Sequence, residues 1–257
     1  MYPIDLKDKN GVVFGVANEH SIAWPISQIL HKAGARLAIT YQNERFGDRV
    51  SRLTGSMDGV KLIECDVTKD ESITGAFDTM KSELGRLDFV VHSIAYANRD
   101  DLKGNFSKIA RDSFLMSLDI SAYSLIPIVR YAAALMSNGG SVVTMTFQAS
   151  ERVFPGYNVM GTAKAALENE VRQLSEEYGR QNIRVNAISA GPLETLASRG
   201  IHGFPDMRKI HAEKAPLKRN ITHEEVAKTA LFLCSDLSSG ITGSIIPVDA
   251  GYHIMAV

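Results

Sequence analysis

The chain has 257 residues, a formal net charge of −1 and a pI near 6.7. This length suits one parallel α/β domain, which can bury most of its apolar surface without disulfides or a structural metal. The near-neutral charge excludes the broadly basic surface that is typical of nucleic-acid-binding proteins, so we expect no nucleic-acid partner.

The sequence also lacks the features of secreted and membrane-embedded proteins. Residues 1–11 alternate charged and apolar side chains, without the apolar core of a signal peptide, and no uninterrupted apolar run is long enough to cross a bilayer. The two cysteines, Cys65 and Cys234, lie in apolar settings, which is typical of inert buried thiols in a reducing compartment. We therefore expect a cytoplasmic protein with no membrane contact and no metal site.

Short apolar and β-branched runs alternate with longer helical stretches along the chain. The predicted strands are 11–16, 36–40, 60–64, 87–93, 141–146, 183–189 and 244–248. Predicted helices include 21–33, 71–84, 157–178 and 223–235, the last preceded by a capping box at Thr222 and Glu225. This alternation predicts an α/β fold: a Rossmann-like, doubly wound parallel sheet of about seven strands in the order 3-2-1-4-5-6-7, with helices on both faces.

No internal repeat or break in composition divides the chain, so we expect a single domain over residues 1–257. Residues 196–220 stand apart because they contain two glycines and two prolines around two short helical stretches. A long irregular stretch in a compact fold often forms a lid over the site, and we expect a substrate-binding lid here. A plain surface excursion is the alternative.

The loops that follow the strands carry the first functional signal. Ligands of open parallel sheets bind at the carboxyl ends of the strands, where the strand order reverses. After the first strand, Gly15 permits a tight turn, and Ser21 lies near a helix N-terminus that can attract a pyrophosphate. The chain has no G-x-G-x-x-G fingerprint, so an ordinary glycine turn with a serine cap is the alternative. After the second strand, Gln42 can hold a ribose through its amide.

The later loops have the same kind of chemistry. Asp66 and Val67 follow the third strand and can receive an adenine, although a turn role for Asp66 is the alternative. Small residues after the fourth strand, from Ser93 to Ala97, allow the backbone to approach a flat ring, and Thr195 after the sixth strand offers a hydroxyl to a nicotinamide. The predicted dinucleotide-binding residues are Gly15, Ser21, Ile22, Gln42, Asp66, Val67, Ser93, Ile94, Lys164, Leu193, Glu194, Thr195, Leu196 and Ala197.

Tyr157 and Lys164 are the predicted reaction centre. They lie seven residues apart, almost two turns of a helix, so a helix would place both side chains on one face. A lysine cation near a phenol favours the phenolate and lowers its pKa. The spacing is not distinctive, because Tyr2–Lys9 and Tyr96–Lys103 share it. The place of Tyr157 after the fifth strand, behind a Pro-Gly turn, selects it.

The run from residue 150 to residue 164, Ser-Glu-Arg-Val-Phe-Pro-Gly-Tyr-Asn-Val-Met-Gly-Thr-Ala-Lys, resembles the signature of bacterial enoyl-acyl-carrier-protein reductases. These are divergent short-chain dehydrogenases/reductases, and the Tyr-x6-Lys spacing separates them from the commoner Tyr-x3-Lys relatives. The resemblance covers essentially the whole chain. It implies reduction of the trans-2 double bond of an enoyl thioester, carried on an acyl carrier protein, in the last step of each fatty acid elongation cycle. It also implies a homotetramer.

The resemblance assigns roles to particular residues. Tyr157 would donate a hydrogen bond to the thioester oxygen, Lys164 would hold the nicotinamide ribose, and Ala97 and Met160 would line the acyl channel, although a core methionine is the alternative. The family usually has a second tyrosine ten residues before the first, and this chain has Phe147 there. We expect Phe147 to shape the pocket and catalysis to proceed with Tyr157 alone.

Charge distribution suggests the cofactor and the partner. Gln42 without a neighbouring basic cluster favours NADH over NADPH, although Arg45 and Arg49 weaken this preference. Residues 196–220 contain six basic and two acidic residues, and this excess of four positive charges can steer an acidic carrier protein. A solvated charged face is the alternative for that segment.

Two other functions compete. A carbonyl or ketoacyl reductase of the same fold predicts a Tyr-x3-Lys pair and a G-x3-G-x-G turn, and the sequence has neither. A non-catalytic dinucleotide-binding sensor is favoured only by Phe147, and the presence of both Tyr157 and Lys164 opposes it.

Overall fold

Seven parallel strands form one sheet within residues 4–256, which the computed structural model describes apart from the side chain of Arg199. The strands are β1 (Asn10–Phe14), β2 (Arg36–Tyr41), β3 (Lys61–Glu64), β4 (Phe89–His92), β5 (Gly140–Thr146), β6 (Ile183–Ala190) and β7 (Ile245–Val248). Their order is β3-β2-β1-β4-β5-β6-β7, and every neighbouring pair is parallel. The predicted Rossmann-like sheet and its strand order are confirmed.

Helices connect the strands and cover both faces of the sheet. The α-helices of the described chain are α1 (Ala23–Lys32), α2 (Glu44–Thr54), α3 (Asp70–Leu84), α4 (Arg111–Leu118), α5 (Leu125–Ala133), α6 (Val159–Gly179), α7 (Phe204–Lys214) and α8 (His223–Cys234). A π-helical turn, Asp119–Tyr123, joins α4 to α5. The strand order reverses between β1 and β4, and this is where a doubly wound sheet opens a crevice for a ligand.

Alternation along the strands divides the buried side chains between two cores. Val12 and Phe14 of β1 belong to the core beneath α3, α5 and α6, whereas Val13 points to the opposite core, beneath α1 and α8. All three side chains are fully buried. Because helices cover both faces of the sheet, these strands have apolar side chains on both faces. This explains their continuous hydrophobic runs in the sequence.

Most of the predicted element boundaries agree with the structure. The capping box before α8 is present, with Glu225 N–H donating to the Thr222 hydroxyl and the Glu225 carboxylate accepting from Thr222 N–H. The predicted start of α6 at Tyr157 is wrong, because the helix begins at Val159 and Tyr157 lies in the turn before it. Within residues 196–220 the structure has a single 3₁₀ turn, Ser198–Gly200, followed by α7.

One described stretch, Arg111–Ala133, is long and apolar enough to cross a membrane by length and composition. It consists of α4, the π-helical turn and α5. Residues of α5, among them Leu125, Ile128 and Val129, are fully buried in the core beneath α3 and α6. The apolar character of this half of the stretch is therefore explained by its place in the domain core.

Candidate active site

The loops after the parallel strands meet at one edge of the sheet, and the first contact joins Gly15 to Ser93. Gly15 has φ of +101°, and a Cβ at this position would lie 2.0 Å from the Ser93 carbonyl oxygen. Glycine is therefore required both for the backbone conformation and for the close approach of the loops after β1 and β4. These two loops flank the point where the strand order reverses.

Ser21 organises the loop between β1 and α1. Its Oγ accepts hydrogen bonds from the N–H groups of Ala17 and Asn18, at 3.0 and 3.1 Å. The first turn of α1 contains no acidic residue, so the partial positive charge of the helix N-terminus faces the crevice without a competing carboxylate. The loop is thus compatible with a pyrophosphate, as the sequence predicts.

Gln42 and Asp66 meet where β2 and β3 end. Burial by itself would raise the pKa of Asp66, but hydrogen bonds from Thr68, the nearby Lys69 ammonium and a hydrogen bond from Gln42 outweigh it and lower the pKa. Thr68 donates twice to Asp66 Oδ1, from its N–H at 3.1 Å and its hydroxyl at 2.8 Å. Asp66 is therefore ionised and oriented, and it holds the Gln42 side chain beside it.

Three predicted apolar contacts of the cofactor are anchored in the domain. Ile22 packs against the core beneath α1 and α8, whereas Val67 and Ile94 pack against the opposite core. All three side chains are only partly buried. Each therefore presents part of its surface at the edge of the sheet while its remainder is fixed by packing.

Lys164 projects from α6 into the interior beneath the site. Its side chain is buried, and its Nζ donates a hydrogen bond to the carbonyl oxygen of Met145 at 2.7 Å. Burial lowers the pKa of Lys164 to about 8, and the Glu168 carboxylate opposes this shift. Glu168, one turn further along α6, is also buried and accepts a hydrogen bond from the Thr146 hydroxyl at 2.7 Å. The lysine thus has a buried counter-charge.

Tyr157 lies in the turn before α6, in an aromatic setting. Its ring centroid is 4.9 Å from that of Phe147, whose ring is in turn 4.7 Å from that of Phe154. Burial raises the pKa of the Tyr157 phenol above its ordinary value. This shift is caused by desolvation and is opposite in direction to the lowering that a nearby lysine cation would produce. Tyr157 is a neutral hydrogen-bond donor at physiological pH.

The predicted substrate residues share a small hydrophobic cluster of their own. Buried Met160 packs with Leu102 and Ala163, and the partly buried Ala97 and Tyr157 lie against them. Leu118 and Ile201 complete this group of contacts. The cluster is separate from the two cores that cover the sheet. The structure therefore brings the three predicted substrate residues, Ala97, Met160 and Tyr157 itself, into one cluster.

The loop after β6 lies at the same edge of the sheet and leads into residues 196–220. Leu193 is buried, and the Thr195 hydroxyl accepts a hydrogen bond from Ser198 N–H at 3.0 Å, which begins the 3₁₀ turn. Glu194 is exposed and pairs with Arg208 on α7. Leu196 and Ala197 are exposed at the start of residues 196–220. The pairing of Glu194 with Arg208 joins the loop to α7. The exposed Leu196 and Ala197 are accessible to a ligand.

Several residues around the site were not predicted from the sequence. Leu102 and Ile201 lie in segments without a regular pattern, so their spacing carried no signal. Glu168 could have been found from its spacing, because it lies four residues after Lys164 on the same helix, where the two side chains are neighbours. His92 is fully buried between the hydroxyls of Thr144 and Ser124, each 2.9 Å from a ring nitrogen, and burial lowers its pKa to about 3.

No group of three or more histidine, cysteine, aspartate or glutamate side chains in the described residues is arranged to hold a metal ion. Cys65 and Cys234 are buried free thiols, and burial raises the pKa of each to about 12. The two cysteines are therefore inert, as their apolar surroundings in the sequence predict.

Solved structures of similar fold bind nicotinamide cofactors. The enoyl-acyl-carrier-protein reductase of Bacillus cereus, in complex with NADP+ and an indole naphthyridinone, superposes with a TM-score of 0.96 at 48% identity, covering 98% of this chain and 99% of that one. The reductase of Anaplasma phagocytophilum in complex with NAD superposes with a TM-score of 0.95 at 43% identity, covering 100% and 98% of the two chains.

Curated relatives agree over the full length. The NADH-dependent enoyl-acyl-carrier-protein reductase FabI of Bacillus cereus is 49% identical over 252 residues, which are 97% of this chain and 98% of the relative. FabI of Nostoc sp. is 49% identical over 257 residues, 99% of this chain and 100% of the relative. A family model described as enoyl-(acyl carrier protein) reductase matches residues 15–253. The chain belongs to the enoyl-acyl-carrier-protein reductase family.

Proposed function

We propose that this chain reduces the trans-2 double bond of enoyl thioesters carried on an acyl carrier protein, with NADH as the reductant, in the last step of fatty acid elongation. The observation that carries the proposal is the juxtaposition of a neutral phenol, a buried lysine and an apolar cluster. Tyr157 and Met160 share the apolar cluster, and Lys164, which follows the cluster's Ala163 in the chain, is fixed by its hydrogen bond to Met145 of β5.

The residues at this edge fit a dinucleotide. Among the described residues, Lys164 Nζ donates one hydrogen bond, to Met145, so its other donors remain for the ribose hydroxyls. The first turn of α1 would receive the pyrophosphate, and Asp66 with Gln42 would receive the adenosine. NADH, when bound, supplies the hydride, which reaches the β-carbon of the enoyl thioester. A proton from solvent then completes the saturated thioester at the α-carbon.

Tyr157 contributes an electrostatic effect. As hydride arrives at the β-carbon, negative charge develops on the thioester oxygen, and the Tyr157 O–H donates a hydrogen bond to that oxygen. A donor aimed at developing charge stabilises the transition state more than the ground state. The raised pKa of Tyr157 favours this role, because the phenol keeps its proton. Lys164 orients the cofactor beside it.

Phe147 occupies the position of the family's second tyrosine and supplies a ring without a hydroxyl. Its contact with Tyr157 supports a packing role, in which the ring limits the rotation of the phenol. We infer that the hydrogen bond to the substrate comes from Tyr157 alone. The low polarity around Phe147 and Phe154 also strengthens that hydrogen bond, since a donor acts more strongly in a medium of low dielectric constant.

We propose that residues 196–220 form the lid over the acyl channel. Ile201 contacts the cluster around Met160, and His211 of α7 is buried and stacks on Tyr252 with ring centroids 4.5 Å apart. One end of the segment therefore borders the channel, while α7 anchors the other end to the domain.

Acidic residues outside residues 196–220 neutralise part of the positive charge of this segment. Arg208 pairs with Glu194, and Arg219 pairs with Glu225, and both acids lie outside the counted segment. The side chain of Arg199 lies outside the described part of the chain. The excess of four positive charges therefore overstates the cationic surface. Lys209 and Lys214 on α7 are exposed, and we propose that they meet the acidic carrier protein.

Two uncovered apolar faces support a homotetramer. One lies at α4 and the π-helical turn, where Leu115, Met116 and Tyr123 are 56%, 44% and 44% exposed. The other lies beside β7, the last strand of the sheet, where Leu217 and Ile254 are 60% and 68% exposed. If each of two different faces contacts the same face of a second subunit, the result is a tetramer with three twofold axes. We place this assembly in the cytoplasm.

The test follows the absorbance of reduced nicotinamide with crotonyl-coenzyme A, and then with acetoacetyl-coenzyme A. We expect oxidation of NADH with the first substrate, little with the second, and slower turnover with NADPH. A preference for acetoacetyl-coenzyme A would establish a ketoacyl reductase, and no turnover with either would favour the dinucleotide sensor. Tyr157→Phe should lower kcat by about 10²–10³-fold, whereas Lys164→Ala should mainly raise the Kd for NADH.

A further inference from the structure

Asn158, which the proposed mechanism does not use, has an unusual backbone. It lies between Tyr157 and the start of α6, with φ of 38° and ψ of −121°. This combination lies outside the left-handed helical region and is one that glycine readily adopts, so for asparagine it is strained. Such strain persists only where the surroundings hold the residue in place, and it often lies at functional sites.

The side chain of Asn158 explains what holds it. Its Nδ2 donates to the carbonyl oxygen of Asp101 at 2.9 Å and to that of Gly104 at 2.8 Å. Both acceptors are carbonyls, so the orientation of the amide is unambiguous: only its NH₂ group can face both. The two hydrogen bonds span more than fifty residues of sequence and use both donors of one short side chain.

The segment that Asn158 holds forms a wall of the acyl pocket. It belongs to the connection between β4 and α4, which carries Ala97 and Leu102, and both contact the cluster around Met160. On the other side of the same turn, Gly156 has φ of +83°, and a Cβ there would lie 2.6 Å from the carbonyl oxygen of His202 in the lid. The turn with Tyr157 at its centre is therefore held between the pocket wall and the lid.

We infer that Asn158 is a positioning residue of the reaction: its amide fastens the Tyr157 turn to residues 101–104, and this sets the direction of the phenol and the width of the acyl pocket. The inference rests on the proposed function. Its chemical requirement is specific, because aspartate keeps the shape but offers no N–H donor to the two carbonyls, and glycine keeps the backbone conformation but has no side chain.

Asn158→Gly separates positioning from folding. Glycine relieves the strained backbone, so the variant should fold and unfold at a temperature at least close to that of the wild type. We expect kcat/KM for crotonyl-coenzyme A to fall by about 10–100-fold, because a displacement of about 1 Å in a reacting group has that effect. The Kd for NADH should remain within about twofold, since the side-chain hydrogen bonds of Asn158 among the described residues go to Asp101 and Gly104, which are not predicted cofactor residues.

Two further variants sharpen the result. Asn158→Asp should lose at least as much activity as Asn158→Gly, because its carboxylate faces two carbonyl oxygens. Asn182→Gly is the matched control: Asn182 also has positive φ, 57°, but lies in the turn before β6, at the opposite end of the strand from the site. This control should keep wild-type kinetics.

Hydrogen exchange measures, in the absence of substrate, whether Asn158 holds residues 101–104 in place. The amides of residues 101–104 should exchange faster in Asn158→Gly than in the wild type or in Asn182→Gly. Wild-type values of kcat/KM in Asn158→Gly, unchanged exchange in residues 101–104, or an equal loss of NADH affinity would each overturn the inference. If wild-type protein fails to reduce crotonyl-coenzyme A, the proposed function fails, and the exchange measurement still decides whether Asn158 holds the loop.

Discussion

Replacing Glu168 with glutamine tests whether Lys164 must be a cation to bind the cofactor. Both side chains are 4% exposed, and Glu168 raises the pKa of Lys164 against the effect of burial. Glutamine keeps the oxygen that accepts from the Thr146 hydroxyl, so the packing and that hydrogen bond survive. The substitution therefore removes the charge, and with it the ion pair between Glu168 and Arg172 at 4.0 Å.

The size of the effect follows from the separation of the two charges. Residues four apart on a helix have Cβ atoms about 5–6 Å apart. Two unit charges about 6 Å apart interact by about 3 kcal/mol at an effective dielectric constant of about 20. Neither side chain is exposed enough for solvent to screen this interaction. Removing the carboxylate should therefore move the titration of Lys164 about one to two pH units toward acid.

The direction of the pH dependence follows from the lowered pKa. Lys164, with its pKa near 8, is a cation below that pH and becomes neutral above it, so the Kd for NADH should rise as the pH increases through 8. In Glu168→Gln the same rise should begin about one to two pH units lower. The variant and the wild type should agree within about twofold at pH 6 and differ by about tenfold at pH 8.

Fluorescence titration of NADH between pH 6 and pH 9 measures this difference. Glu176→Gln is the control, because it removes the same charge from an exposed position on α6. Thermal unfolding at each pH checks that the fold is intact. If Glu168→Gln and the wild type have superimposable pH profiles, Glu168 does not govern the charge of Lys164 and the reasoning is refuted.

Other substitutions test the remaining parts of the site. Gly15→Ala should weaken NADH binding by at least about tenfold and lower the Tm, because its Cβ meets the Ser93 carbonyl; unchanged calorimetric affinity would contradict this. Phe147→Tyr should change the rate of crotonyl-coenzyme A reduction by less than about tenfold, and a gain of several orders of magnitude would mean that the missing hydroxyl limits the natural chain. Lys209→Glu with Lys214→Glu should lower kcat/KM for crotonyl-acyl-carrier protein but not for crotonyl-coenzyme A, and equal losses would exclude carrier docking at α7.

The sheet could be predicted because its signals are local. The continuous apolar run in β1 and the capping box at Thr222 each depend on residues close together in the chain. The start of α6 could not be predicted, because the backbone of Asn158 depends on two carbonyl groups more than fifty residues away. Helical periodicity continues through Tyr157 in the sequence, whereas the tertiary hydrogen bonds of Asn158 delay the start of the helix to Val159.

The pKa of Tyr157 and the net charge of residues 196–220 depend on burial and on ion pairs that the sequence does not reveal. The sequence places Lys164 near Tyr157 but does not reveal how deeply the phenol is buried, and burial decides the direction of its pKa. The basic count of the lid likewise omits Glu194 and Glu225, which lie outside the segment and neutralise two of its arginines. The positions of functional side chains were therefore more predictable than their charges and pKa values.

The small cluster around Met160, Leu102 and Ala163 shares none of its buried members with the two cores that cover the sheet. Pocket geometry and sheet stability are therefore separable traits. Changing the volume of Leu102 alters the space beside the phenol, while the packing of β1 and β4 stays as it is. Selection can retune the acyl chains that such an enzyme accepts through a few substitutions, without reworking the scaffold that binds its cofactor.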